Sequence, residues 1–190
     1  MEKTAVQRLA EVLRLMVWIV LVVNLLCLLL VPLFAVLVID GNWFTTLQDL
    51  REYTVHTLGH LLIMCPLAFL AVWSEWHSAL LTVFFWLCGT CTALILWQAK
   101  RVLDTILEGN PFQFKNAQAL NRAAVCCWVL SGVALVRLLW WLWHDHSAAP
   151  FFTYNTLFIP AFLMAGLLFQ VMSALFRQAA ELKEDQDLTI

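Results

Sequence analysis

The sequence predicts an all-α integral membrane protein, with four transmembrane helices in an antiparallel bundle, and three observations carry that prediction. Hydrophobic residues make up 63% of the 190 and charged residues only 13%, against roughly 45–50% and about 25% in soluble domains. The apolar residues fall in nearly uncharged runs long enough to cross a hydrocarbon core of about 30 Å. Nine of the eleven Lys and Arg residues gather on one side when four such runs are threaded through a bilayer. With 6 Gly, 5 Pro and a net charge of −2, disorder, collagen-like repeats and a basic nucleic-acid-binding surface are excluded, so no direct contact with nucleic acid is expected.

The first run, 16–39, carries no charge and at 1.5 Å per residue spans the core. Its exit, Val36 to Gly41, lacks the small-residue cleavage site of a signal peptide, so it reads as a retained anchor. Three further runs qualify, 79–98, 124–143 and 151–176, the last tilted or reaching past the bilayer. A fifth apolar segment, 58–73, is shorter and contains His60 and Pro66. It fits a short outer-face or re-entrant segment, with a five-span chain as the alternative.

Cationic residues arbitrate, because Lys and Arg near span ends stay in the cytoplasm. Four spans with both termini inside collect Lys3, Arg8, Arg14, Lys100, Arg101, Lys115, Arg122, Arg177 and Lys183 there. Five spans keep only three inside with the N-terminus in, and seven with it out. Trp43, Tyr53, Trp76, Trp140, Trp141 and Trp143 then form an outer aromatic belt, and Trp97 marks the inner face. Pro32 and Pro160, inside spans, remove backbone hydrogen bonds and bend their helices.

The chain reads as one membrane domain, 1–190, with a cytoplasmic helical hairpin at 99–123 and a cytoplasmic tail at 177–190. Past Trp97, Val102, Leu103, Ile106 and Leu107 recur at helical spacing among Lys100, Arg101, Asp104 and Glu108. Gly109-Asn110-Pro111 ends that helix, Gly109 suiting the left-handed position after a C-terminus and Pro111 turning Asn110 away from helical geometry. A new helix starts at 114–116. Phe112 and Phe114 at the tip either staple the two helices together or offer an anchor to a cytoplasmic partner. The tail carries Glu184, Asp185 and Asp187 before Leu188-Thr189-Ile190 and reads as helix that frays.

Glu108-Gly109-Asn110-Pro111-Phe112 with Lys115-Asn116 and Leu120, and the ending Asp187-Leu188-Thr189-Ile190, resemble the bacterial membrane family known as domain of unknown function 2975. The likeness runs from about Ala79 to Ile190. It implies a four-helix protein of the bacterial inner membrane without assigned enzymatic activity. It also implies a small cytoplasmic helix-turn-helix regulator encoded nearby as the partner. The 58–73 segment departs from the simplest family pattern.

Chemical motifs are few. Cys88-Gly89-Thr90-Cys91 has the Cys-x-x-Cys spacing of thiol–disulfide exchange, which would make a quinone-linked oxidoreductase. Its mid-span position favours close helix packing instead, as it does for Cys126-Cys127. His56 and His60 share a helix face and His144-Asp145-His146 lies in a short loop, but neither offers a full ligand set. Arg137 is close enough to Trp143 to snorkel to the outer interface. No phosphate cradle, nucleophile elbow or metalloprotease helix occurs.

The resulting expectation is a non-enzyme without catalytic residue, metal or cofactor: a regulatory or sensing membrane protein embedded in the lipid bilayer. Its partner-binding residues are expected at Gly109, Asn110, Pro111, Phe112, Asn116, Asp187, Leu188, Thr189 and Ile190, and a homo-oligomer is compatible with it. The oxidoreductase, a small-solute permease and a toxin-immunity protein stand as alternatives.

Overall fold

The structure is a computed structural model, and it describes residues 5–39, 69–70, 72–73, 76–110, 112–145 and 154–187. Four long helices hold nearly all of them: α1 (Ala5–Ile39), α2 (Trp76–Leu107), α3 (Phe114–Asp145) and α4 (Tyr154–Asp187). No strand occurs among the described residues. Each helix contains a stretch long and apolar enough to cross a membrane: Arg8–Pro32, Ala79–Leu107, Phe114–Trp143 and Thr156–Gln186. Hydrocarbon offers backbone groups no partner, so the crossing segments satisfy theirs within the helix. The protein is a multi-pass, all-helical membrane protein.

At 1.5 Å per residue, helices of 32 to 35 residues outreach a core of about 30 Å. Each span therefore continues as helix into a polar extension. The last span continues as helix through the tail, and α4 reaches Asp187. Pro32 and Pro160 both lie inside continuous helices, α1 and α4. Most of the 58–73 segment lies outside the described residues.

Two compact units emerge, one of residues 1–23 with 91–190 and one of residues 24–90. In the smaller unit the Trp86 indole Nε1 donates to the Leu28 carbonyl at 3.2 Å. Gly89 sits against Leu28, where an added Cβ would come within 2.8 Å of Leu28 Cγ. Phe69 packs on Trp86 and edge-on to Trp73, with ring centroids 6.1 and 6.3 Å apart. Val72 and Thr82 are fully buried in this unit.

In the larger unit α3 is the central helix. One third of its apolar window is buried in the protein, against 6 to 11% for the other three. Small residues on α3 let α4 approach along its length. Ser173 Oγ donates to the Ala117 carbonyl at 2.7 Å, and Ser131 Oγ donates to the Ile159 carbonyl at 3.0 Å. Between them the Trp128 indole lies across Gly166. As the α3 number rises its α4 partner's falls, so the two helices are antiparallel. Val136, Leu139, Leu168 and Val171 are more than half exposed, a surface that lipid covers.

Candidate functional site

The larger unit gathers polar extensions of all four helices into one head. Leu107 lies nine positions beyond Gln98, so α2 continues about 14 Å past its apolar run. It closes as a Schellman motif: Gly109 N–H donates to the Ile106 carbonyl at 3.2 Å and Asn110 N–H to the Thr105 carbonyl at 3.1 Å. Gly109 has φ +79°, a conformation that costs any residue with a Cβ. Three residues after the last described turn residue, Asn110, the chain is already at Gln113, whose carbonyl receives the Asn116 N–H at 2.9 Å and opens α3.

Asn116 locks the hairpin. Its Nδ2 donates to Thr105 Oγ1 at 2.6 Å, and that hydroxyl donates to the Val102 carbonyl at 2.7 Å. Asn116 is 1% exposed and Thr105 and Val102 are half-buried, so the relay is buried at its Asn116 end. Low local dielectric strengthens such a bond and makes its loss expensive.

Helix α4 closes the other side. Lys183 Nζ donates to Asn110 Oδ1 at 2.8 Å, joining residues 73 positions apart. Phe112 packs on Phe176 with ring centroids 5.7 Å apart, and the Arg177 guanidinium stands 6.0 Å from the Phe114 ring centroid. Arg177 also pairs with Glu181 one turn on, at 3.1 Å. The two phenylalanines therefore join the hairpin to α4, where the sequence suggested a staple within the hairpin or a free anchor. Helix α1 contributes Arg14, whose Nε is 2.9 Å from Asp104 Oδ1. Lys100 lies 5.5 Å from the Trp97 ring centroid at the end of the α2 apolar run.

Of the residues singled out in the sequence, Gly109, Asn110, Phe112 and Asn116 come together at the hairpin. Gly109 and Phe112 are exposed and Asn116 is buried. Asp187 ends α4. Pro111 and Leu188, Thr189 and Ile190 lie outside the described residues, as do His56 and His60. Sequence reasoning missed Arg14, Thr105, Ser173 and Lys183, whose partners lie on other helices. It also missed Gln98, 7% exposed, whose Oε1 has no hydrogen-bond partner among the described residues. Lys183 did carry a faint signal, being the one cation among the acidic residues Glu181, Glu184, Asp185 and Asp187.

Chemically the head brings charged and hydrogen-bonding side chains from four helices onto one surface. No three His, Cys, Asp or Glu residues among the described residues are placed to hold a metal ion. Phe112, Phe114 and Leu182 expose 48, 41 and 65% of their surface despite their contacts, which leaves apolar area on a polar head.

A family model described as protein of unknown function, DUF2975, matches residues 16–190. No curated protein and no solved structure matches the chain.

Proposed function

The chain belongs to the DUF2975 family, and on that premise we propose that it is a regulatory or sensing protein of the bacterial inner membrane. It forms one membrane domain with both termini in the cytoplasm. There it holds a small helix-turn-helix regulator on the head formed by the hairpin and the α4 extension.

The observation that carries this reading is the head itself. Four helices continue beyond their apolar runs, and Arg14–Asp104, Asn116–Thr105 and Lys183–Asn110 tie the extensions together. A protein that needed only to sit in lipid would gain little from ordering so much polar chain, since each fixed residue costs about 1–2 kcal/mol of backbone entropy. Exposed Phe112, Phe114 and Leu182 give that surface the aromatic and aliphatic anchors on which protein partners dock. Asn116, being buried, positions the turn, while Gly109, Asn110, Pro111 and Phe112 with Asp187, Leu188, Thr189 and Ile190 form the recognition surface. Because every extension continues a membrane helix, a shift of the spans moves the head.

The test is in-cell photocrosslinking from Phe112 and from Leu182, with mass spectrometry of the captured species and a control lacking residues 185–190. Capture of a small helix-turn-helix protein by both probes, lost in the control, is the expected result. Crosslinks to lipid and to the protein's own helices alone would overturn the proposal.

A further inference from the structure

Helix α4 has two faces. Gly166, Ser173 and Ala180 recur every seven residues and form the inner one: Gly166 lies against Trp128, Ser173 bonds to Ala117, and Ala180 is buried. Half a turn around the helix, Ala161, Met164, Leu168, Val171, Leu175 and Gln178 follow at alternating steps of three and four residues. All six are exposed, and Met164, Leu168, Val171 and Leu175 each expose 54 to 63% of their surface.

Lipid covers only part of this outer stripe. Three contacts hold α4 on α3 in one register: Ser131 to Ile159, the Ala124 carbonyl beside Gly166, and Ser173 to Ala117. Leu168 therefore stands at the height of Arg122, five residues along each helix from the last of these contacts. Across the hairpin, Lys100 stands near the same height, five residues before Thr105 where Arg122 is six after Asn116. Lys100 lies over the half-exposed Trp97 ring, and cations with an interfacial Trp mark the headgroup level. The outward stripe of α3, with Val125, Val129 and Val136, stops at Arg122. That of α4 does not: Val171, Leu175 and Gln178 lie about 5, 10 and 15 Å past this level.

An occupant that covers the whole stripe must be a helix leaving the membrane at the same height and in the same direction. Lipid reaches only the inner part, and a soluble protein only the outer part. A second copy of this chain meets both conditions, because a two-fold axis along the membrane normal sets its α4 parallel to the first and brings identical stripes together. No like charges meet in that arrangement. The first charge on α4 is Arg177, which is engaged by the Phe114 ring and Glu181 of its own chain.

We propose that the chain forms a parallel homodimer through the outer face of α4, as a coiled-coil seam with Ala161, Leu168 and Leu175 at a and Met164, Val171 and Gln178 at d. The small Ala161 lets the helices approach within the bilayer. At the cytoplasmic end the two Gln178 amides, each both donor and acceptor, pair across the axis and fix the parallel register. Leu182, one turn further out, stays on the head. The seam does not depend on the head's partner, which is absent from the test.

The experiment uses the full chain, labelled once at its C-terminus, in liposomes of phosphatidylethanolamine and phosphatidylglycerol, with copies counted by single-molecule photobleaching as protein density rises. The expected result is a population of two-step bleaching that grows with density. Leu168→Ala with Leu175→Ala should weaken dimerisation at least about tenfold, whereas Val125→Ala with Val136→Ala on α3 should leave it unchanged. Under copper–phenanthroline oxidation Val171→Cys should yield a covalent dimer above the wild-type background, and Val125→Cys should not. This crosslink decides the matter even if the alanine variants misfold. Single-step bleaching at every density, or a dimer that fails to crosslink through Val171→Cys, would overturn the proposal.

Discussion

Removing the Asn116–Thr105 bond should unlock the hairpin by a predictable amount. Asn116→Ala deletes a side chain 1% exposed together with its 2.6 Å bond to Thr105 Oγ1. A hydrogen bond contributes about 0.5–1.5 kcal/mol net. The cavity left by the lost amide adds about 1 kcal/mol at roughly 24 cal/mol per Å³. The expected loss is therefore about 2 kcal/mol. Thr105→Val keeps the shape but leaves the buried Asn116 Nδ2 without that acceptor, which costs about 1–3 kcal/mol. Because both changes break one bond, the double variant should lose less than their sum, by about 1 kcal/mol. Reversible unfolding by sodium dodecyl sulfate in bicelles, followed by circular dichroism, measures all four corners of the cycle. A coupling below about 0.3 kcal/mol, the usual additivity error, would refute the view that this bond holds the hairpin.

Four further outcomes follow from the same contacts. Gly166→Ala drives a methyl into the Trp128 indole and to 3.3 Å from the Ala124 carbonyl, so unfolding should become easier by about 1–3 kcal/mol. Gly132→Ala meets nothing within 4 Å and should gain up to about 1 kcal/mol from helix propensity in the same assay. Gly109→Ala, forced to φ +79°, should lose about 1–2 kcal/mol and raise amide hydrogen exchange at the turn. Gln98→Met removes a buried oxygen without a described partner and should raise stability by about 1–3 kcal/mol, measured by the denaturation midpoint. A fall in stability would mean that the oxygen has a partner in the folded protein.

The spans and the turn were legible in the sequence because each depends on local physics. A nearly uncharged run of sufficient length must be helical in hydrocarbon, and 79–98 and 124–143 reappear inside α2 and α3. The Gly109 stop was equally local, since a left-handed residue after a helix end favours glycine whatever surrounds it. The lengths of the extensions were legible only in part: α4 kept its helix through an acidic stretch that in isolation frays, with Lys183 held by Asn110.

What the sequence by itself determined, then, is a chain of four membrane-crossing helices with a Gly-Asn-Pro turn between the second and third. The tertiary structure decided which side chains meet. In a soluble helix the apolar stripe announces the buried face, but here lipid-facing and protein-facing sides are both apolar, so periodicity does not fix rotation or register. That is why Arg14 could not be matched to Asp104, nor Phe112 to Phe176, before the helices were set side by side. Their pairing depends on the approach that small residues such as Ala117, Ala124 and Gly166 allow between helices, and on polar groups that find partners only once that approach is made.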